Sequence, residues 1–254
     1  MSSSKVVLIT AGSAGLGAQI ARAFAPDFRV VINYANNDER ASTLLKELES
    51  IPSTTTHPVD TPRFYVIKAD IGDKPSVQHL AKETLTTMKR LDVVVSNHGW
   101  TRVRDFLNFS EGTLEEDWDK CFIYNVKSHL WLMEAAKNAL EDSEGAFIST
   151  ASLAGVKPSG SSLPYSVTKA AQIHLVKGLA LICGPKIRVN SVSPGLLLTE
   201  WGMQFAPEKR DKALEATKLK RLPTVEDVAD QVRTFALSRS ITGQNIVIDS
   251  GTSV

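Results

Sequence analysis

Tyr165 and Lys169, with Ser152 thirteen positions before the tyrosine, are the side chains of this 254-residue sequence best suited by type and spacing to move a proton. After Pro164 the residues Ala170, Ala171, Leu175 and Leu179 recur among good helix formers, so Tyr165-Ser-Val-Thr-Lys169 reads as the opening of a helix. Residues four apart share a helix face, which makes the phenol and the ammonium neighbours. A free tyrosine ionises near pH ~10, too high for chemistry at neutrality, and a cation beside it is expected to bring that value down. A hydroxyl at Ser152, held opposite, would steady a carbonyl oxygen on which charge develops.

Elements of the right kind stand around these residues. Val6-Val-Leu-Ile-Thr10 is a β-branched run of the buried-strand type, followed by the glycine-rich Ala11-Gly-Ser-Ala-Gly-Leu-Gly17 and an apolar-spaced helix over 18–25. Strand, glycine turn and helix in that order suit a pyrophosphate, whose charge is favoured at the helix N-terminus. Further strands are predicted over 28–34, 63–70, 91–96, 145–150, 187–192 and 244–249, alternating with helices. Between them, 51–62 reads as a surface loop and 111–140 as two helical stretches interrupted near Asp117 to Cys121. Thr224, with Glu226 and Asp227 behind it, opens the last helix. The alternation predicts an α/β fold: one doubly wound parallel sheet of about seven strands, Rossmann-type, with helices on both faces and residues 1–254 as a single domain.

That architecture gives each candidate residue a place. Ser152 follows the fifth strand at the sheet's ligand-binding edge, and Asn97-His-Gly99 follows the fourth, either as a close approach to a ligand or as a plain turn. Asn125, inside an apolar helical pattern, is either a structural bridge or part of the site. The second strand ends at Asn33-Tyr34 with no acid until Asp38, which removes the carboxylate that would repel a 2′-phosphate. No arginine stands at Ala14 or directly after Tyr34 to pair with that phosphate; the balance favours NADP(H) over NAD(H). Trp201, Met203 and Phe205 read as an apolar lid or pocket wall, or as core.

Composition excludes other classes. Apolar residues make up 43% and the net charge is +1 with the signs interleaved, so neither nucleic acid nor a membrane surface is an expected partner. The two cysteines and five histidines show neither a disulfide framework nor metal-ligand spacing, and no metal is expected. The apolar run at the start is too short for a signal peptide or a span, which points to a cytoplasmic protein.

Taken together, the sequence resembles the short-chain dehydrogenase/reductase family from end to end. The glycine turn appears as Thr10-Ala-Gly-Ser-Ala-Gly-Leu-Gly17, the acid after the third strand as Asp70, and the Asn-Asn-Ala-Gly stretch as Ser96-Asn-His-Gly99. Asn125, Ser152, Tyr165 and Lys169 match the catalytic set, and Pro194-Gly195 with Thr199 matches the segment that cradles the nicotinamide. The resemblance implies an NAD(P)-dependent oxidoreductase interconverting a carbonyl and an alcohol, with Tyr165 as acid/base, Lys169 tuning it, Ser152 polarising the carbonyl and Asn125 holding a water. Cofactor contacts are implied at Thr10, Gly12, Ser13, Gly15, Leu16, Gly17, Asn33, Tyr34, Asp70, Ile71, Asn97, Gly99, Tyr165, Lys169, Pro194, Gly195, Leu197 and Thr199, and a homodimer or homotetramer is implied as well. A non-catalytic NAD(P)-binding sensor or scaffold is the alternative on the same fold. Three departures stand out: Ala11 replaces the turn's first glycine, Ser96 and His98 alter the second motif, and the NADP-favouring arginine is missing.

Overall fold

Seven strands, β1 (Val6–Ile9), β2 (Arg29–Tyr34), β3 (Phe64–Lys68), β4 (Val93–Ser96), β5 (Ala146–Thr150), β6 (Arg188–Pro194) and β7 (Asn245–Ile248), form one sheet in the order β3-β2-β1-β4-β5-β6-β7. The structure is a computed structural model and describes residues 4–254. Every pairing is parallel, with Leu8 opposite Val31 on one side and Val94 on the other. Strands covered on both faces need apolar residues at every position, and all residues of β1 and β5 are buried.

The helices are α1 (Gly15–Phe24), α2 (Asp38–Glu49), α3 (Lys74–Met88), α4 (Phe109–Gly112), α5 (Glu115–Phe122), α6 (Ser128–Asp142), α7 (Leu163–Cys183), α8 (Pro207–Ala216) and α9 (Val225–Leu237). One core packs Ile20, Phe24, Leu48, Val232 and Phe235 of α1, α2 and α9 against Val7, Ile9 and Val30. The other packs Leu80, Leu132, Met133 and Val176 of α3, α6 and α7 against Leu8, Val31, Val94 and Phe147. Strand order reverses between β1 and β4, so a crevice opens at their carboxyl ends, where doubly wound sheets bind ligands.

Two expectations need correction. The interruption expected near Asp117 to Cys121 is not there: α5 runs through those residues. The irregularity lies one turn later, where Ile123–Lys127 forms a π-turn joining α5 to α6. Buried Asp117 accounts for the misplacement, because a charge inside an apolar pattern looks like a break. Here it is paired with Arg104 at 2.8 Å and Arg102 at 3.0 Å. Strand β6 also continues two residues beyond Val192, with Ser193 and Pro194 in register with Val247 and Ile248. The last helix begins as expected: the Thr224 hydroxyl accepts from the Asp227 amide, and the Asp227 carboxylate accepts from the Thr224 amide.

Candidate active site and cofactor cleft

Helix α7 starts where it does because Ser162 caps it, accepting from the Tyr165 amide at 3.3 Å, with Pro164 in the first turn. One helical turn on, Lys169 is 2% exposed, and its ammonium donates to the Thr150 carbonyl at 2.9 Å at the end of β5. The same ammonium lies 5.6 Å from the centre of the Tyr165 ring. Gln172 shares the Thr150 carbonyl at 3.1 Å and donates to Ser149 Oγ at 2.6 Å, fixing the helix to the strand. Ser152 sits two residues past β5, accepts from the Ala154 amide at 3.1 Å and is hydrogen-bonded to the Tyr165 hydroxyl. The strand end and the helix start thus bring Ser152, Tyr165 and Lys169 together.

Electrostatics here depart from the expectation for Tyr165. Burial pushes its phenol up to about 12, against the smaller pull of the Ser152 hydrogen bond. Burial also brings the Lys169 ammonium down to about 7. Both shifts have one cause: each charged form loses solvation in this pocket. With its ammonium tied to a backbone carbonyl, Lys169 does not outweigh desolvation at the phenol, and Tyr165 is a protonated acid at neutral pH.

The three side chains line a cavity of about 810 Å³ that runs along the carboxyl ends of the strands to the N-terminus of α1. Ser13, Gly15, Leu16, Tyr34, Asn97, Gly99, Pro194, Gly195, Leu197 and Thr199 line it. Gly99 leaves little room for a side chain: a Cβ there would lie 3.1 Å from Asn125 Oδ1 and 3.3 Å from Lys169 Nζ. The N-terminus of α1 fits a pyrophosphate. Its N-cap, Ala14, offers no side-chain acceptor, its first turn carries no acid, and Gly15 faces Thr199 with φ +49, where a Cβ would stand 3.1 Å from the threonine methyl. These amides are therefore free to take an anion.

Other predicted residues lie outside the cavity lining, each for a visible reason. Thr10 is fully buried and bridges β1 to the segment after β4, and Gly12 and Gly17 are packed against Ile32 and the Ala11 carbonyl. Asn33 is 1% exposed and ties β2 to β3 through the Ala69 carbonyl at 3.0 Å while accepting from the Ala11 amide at 3.3 Å. Asp70 receives the Tyr124 hydroxyl at 3.0 Å and the Gly72 amide at 2.8 Å, and Ile71 is in the core. Asn125, carried by the π-turn, is fully buried and its amide is spent. It accepts from the Trp100 amide at 2.7 Å and donates to the Trp100 carbonyl at 2.9 Å and to Thr168 Oγ1 at 3.0 Å. Of the two readings of Asn125, the structural bridge describes its side chain.

The altered second motif has its own logic. His98 borders the cavity but is 5% exposed, and its ring stacks on His129 with ring centres 4.1 Å apart. Ser128 Oγ donates to the Tyr124 carbonyl, so it accepts from His98 Nε2 at 2.7 Å, leaving Nδ1 to accept from Thr10 Oγ1 at 2.8 Å. Thr10 in turn accepts from the Asn97 amide at 2.9 Å. His98 therefore braces the floor of the cleft as a neutral ring, and burial lowers it to about 3.

Sequence reasoning missed Arg40. It stands six residues past the end of β2 rather than directly after it, but the first turn of α2 returns it to the cavity wall beside Asn36 and Asn37. Of the proposed apolar wall, Trp201 and Phe205 line the cavity, and the Trp201 ring is 6.2 Å from that of Tyr165. Met203 faces outward, 52% exposed.

The family model described as enoyl-(acyl carrier protein) reductase matches residues 10–253. The human protein named dehydrogenase/reductase SDR family member 4 is 30% identical over 98% of this chain and 87% of its own length. A 3-oxoacyl-acyl-carrier-protein reductase of Staphylococcus aureus is 28% identical over 99% of both chains. A crystal structure of a short-chain dehydrogenase from Burkholderia cenocepacia in complex with NADP superposes with a TM-score of 0.87 at 28% identity, covering 99% of each chain. The chain belongs to the short-chain dehydrogenase/reductase family. It is an NAD(P)-dependent oxidoreductase that interconverts a carbonyl and an alcohol. Among the described residues no group of side chains could hold a metal ion, and no helix is long and apolar enough to cross a membrane.

Proposed function

We propose that the whole chain acts as one catalytic unit that reduces an apolar-bodied ketone or aldehyde with NADP(H) in preference to NAD(H), Tyr165 supplying the proton. The observation carrying this is the continuity of one cavity from the Tyr165 hydroxyl to the uncapped N-terminus of α1. The nicotinamide supplies a hydride when bound. Tyr165, protonated at neutrality, donates to the oxygen of the substrate, and the Ser152 hydroxyl holds that oxygen in place. Lys169 keeps a positive charge beside the phenol as its proton leaves, which limits the cost of the phenolate in a buried site. Asn125 positions Gly99 and Trp100 rather than touching the reactants.

Leu153, Leu196, Trp201 and Phe205 supply apolar walls for the substrate body. Arg40 supports NADP(H), since its guanidinium lines the adenosine end of the cleft where no carboxylate follows β2 directly. We read the protein as a cytoplasmic homodimer or homotetramer: α7 leaves Val167, Leu181 and Ile182 exposed and α6 leaves Leu130 exposed, apolar area that a second copy would cover. Replacing Tyr165 by Phe tests the central assignment. Carbonyl reduction is expected to fall by at least ~10²-fold while nucleotide affinity, read by fluorescence titration, stays within about twofold. A variant that reduces substrate as fast as the parent refutes the role of Tyr165.

A further inference from the structure

Arg40 Nη1 and Glu200 Oε2 are 2.7 Å apart, joining the first turn of α2 to the segment after β6 across the mouth of the cleft. Helix stability does not explain an arginine there, because a cation in a first turn opposes the helix dipole. Its Nε is buried without an acceptor, so the guanidinium is only partly satisfied by Glu200. The residues around Glu200 reach three parts of the site in succession. Thr199 faces Gly15 at the start of α1, Glu200 holds Arg40, and Trp201 stands against Tyr165.

Resting on the reading that Arg40 serves the adenosine end of NADP(H), we propose that Glu200 competes with the 2′-phosphate for Arg40 and so sets cofactor selectivity. Arg40 exchanges one anion for the other, and the exchange releases the segment that carries Trp201. A phosphate dianion offers the guanidinium more charge and more acceptor oxygens than one carboxylate, including an acceptor for the unpaired Nε. NAD(H), which has no 2′-phosphate, leaves the Arg40–Glu200 pair closed. The two side chains are 38% and 78% exposed, so the pair is weak enough to be displaced.

Equilibrium binding of 2′,5′-ADP and 5′-AMP, which differ only in the 2′-phosphate, tests the exchange without turnover. Glu200→Gln keeps the shape and removes the charge; it is expected to tighten 2′,5′-ADP about 5-fold at low salt and leave 5′-AMP unchanged. Arg40→Gln is expected to weaken 2′,5′-ADP at least ~10-fold, and in that background Glu200→Gln should have no further effect. Hydrogen exchange across 199–205 should quicken with 2′,5′-ADP and not with 5′-AMP. If Arg40→Gln weakens 2′,5′-ADP but Glu200→Gln changes nothing, the competition is refuted while the NADP reading stands. If Arg40→Gln leaves 2′,5′-ADP binding unchanged, both fall together.

Discussion

Acidification should destabilise this protein through His98, and replacing His98 by Gln should remove that share of the sensitivity. The ring is 5% exposed, both nitrogens are engaged by neutral hydroxyls, and Lys169 adds to the cost of a positive charge. Burial holds it at about 3, against 6.5 for an unperturbed histidine. Between those values the unfolded chain binds a proton that the folded chain refuses, so stability falls as pH falls from ~6.5 towards ~3 and the loss levels off below. Integrating across that window gives ~2 kcal/mol lost at pH 5 relative to pH 8, and ~4 kcal/mol by pH 3. His129, fully buried and shifted the same way, adds a second loss of the same sign. Urea unfolding followed by tryptophan fluorescence at pH 8, 6.5 and 5, at fixed protein concentration and ionic strength, reads the difference directly. The parent should lose ~2 kcal/mol more than His98→Gln between pH 8 and 5; carboxylate contributions are common to both and cancel. Parallel declines would show that His98 titrates normally and that the buried neutral bridge is wrong.

Two further outcomes follow from the same geometry. Asn125→Ala strands the Trp100 amide and carbonyl in a buried site and should cost ~3 kcal/mol of unfolding free energy by urea titration, whereas a loss under ~1 kcal/mol would mean the bridge is not what holds the loop after β4. Because Lys169 sits at about 7 and Tyr165 at about 12, kcat/KM for reduction should decline as pH rises through ~7 while the phenol stays protonated; a profile flat to pH ~9 would place the lysine elsewhere on the scale.

What could be read from sequence was whatever depended on periodicity and order. The buried strands, the glycine turn after β1 and the four-residue step from Tyr165 to Lys169 all carry local signatures, and the sheet order then places Ser152 beside them. What could not be read depended on which way a polar side chain turns. Thr10, Asn33, Asp70 and Asn125 have residue types that would suit a ligand, yet each is committed to another strand, helix or loop through partners 22 to 87 positions away. Their hydrogen bonds are long-range, so no window of sequence contains both ends.

His98 shows the same limit from the other side. Its position in the second motif pointed to the cleft, but its partners Thr10 and Ser128 lie 88 and 30 positions away, and together they make it a brace beneath the cleft. The exchange of a small residue for an imidazole at that point is intelligible only with Ser128 and His129 present on α6 to receive it. Ser96, the motif's other departure, binds His129 Nδ1 at 2.6 Å, so the two substitutions in Ser96-Asn-His-Gly99 belong to one buried cluster. Asn97, His98 and Gly99 all border the cavity wall, His98 with its ring hydrogen-bonded into that cluster. The side chains of Ser96 and His98 are engaged within one buried cluster while the stretch that carries them borders the cleft, so both departures act through packing beside the site.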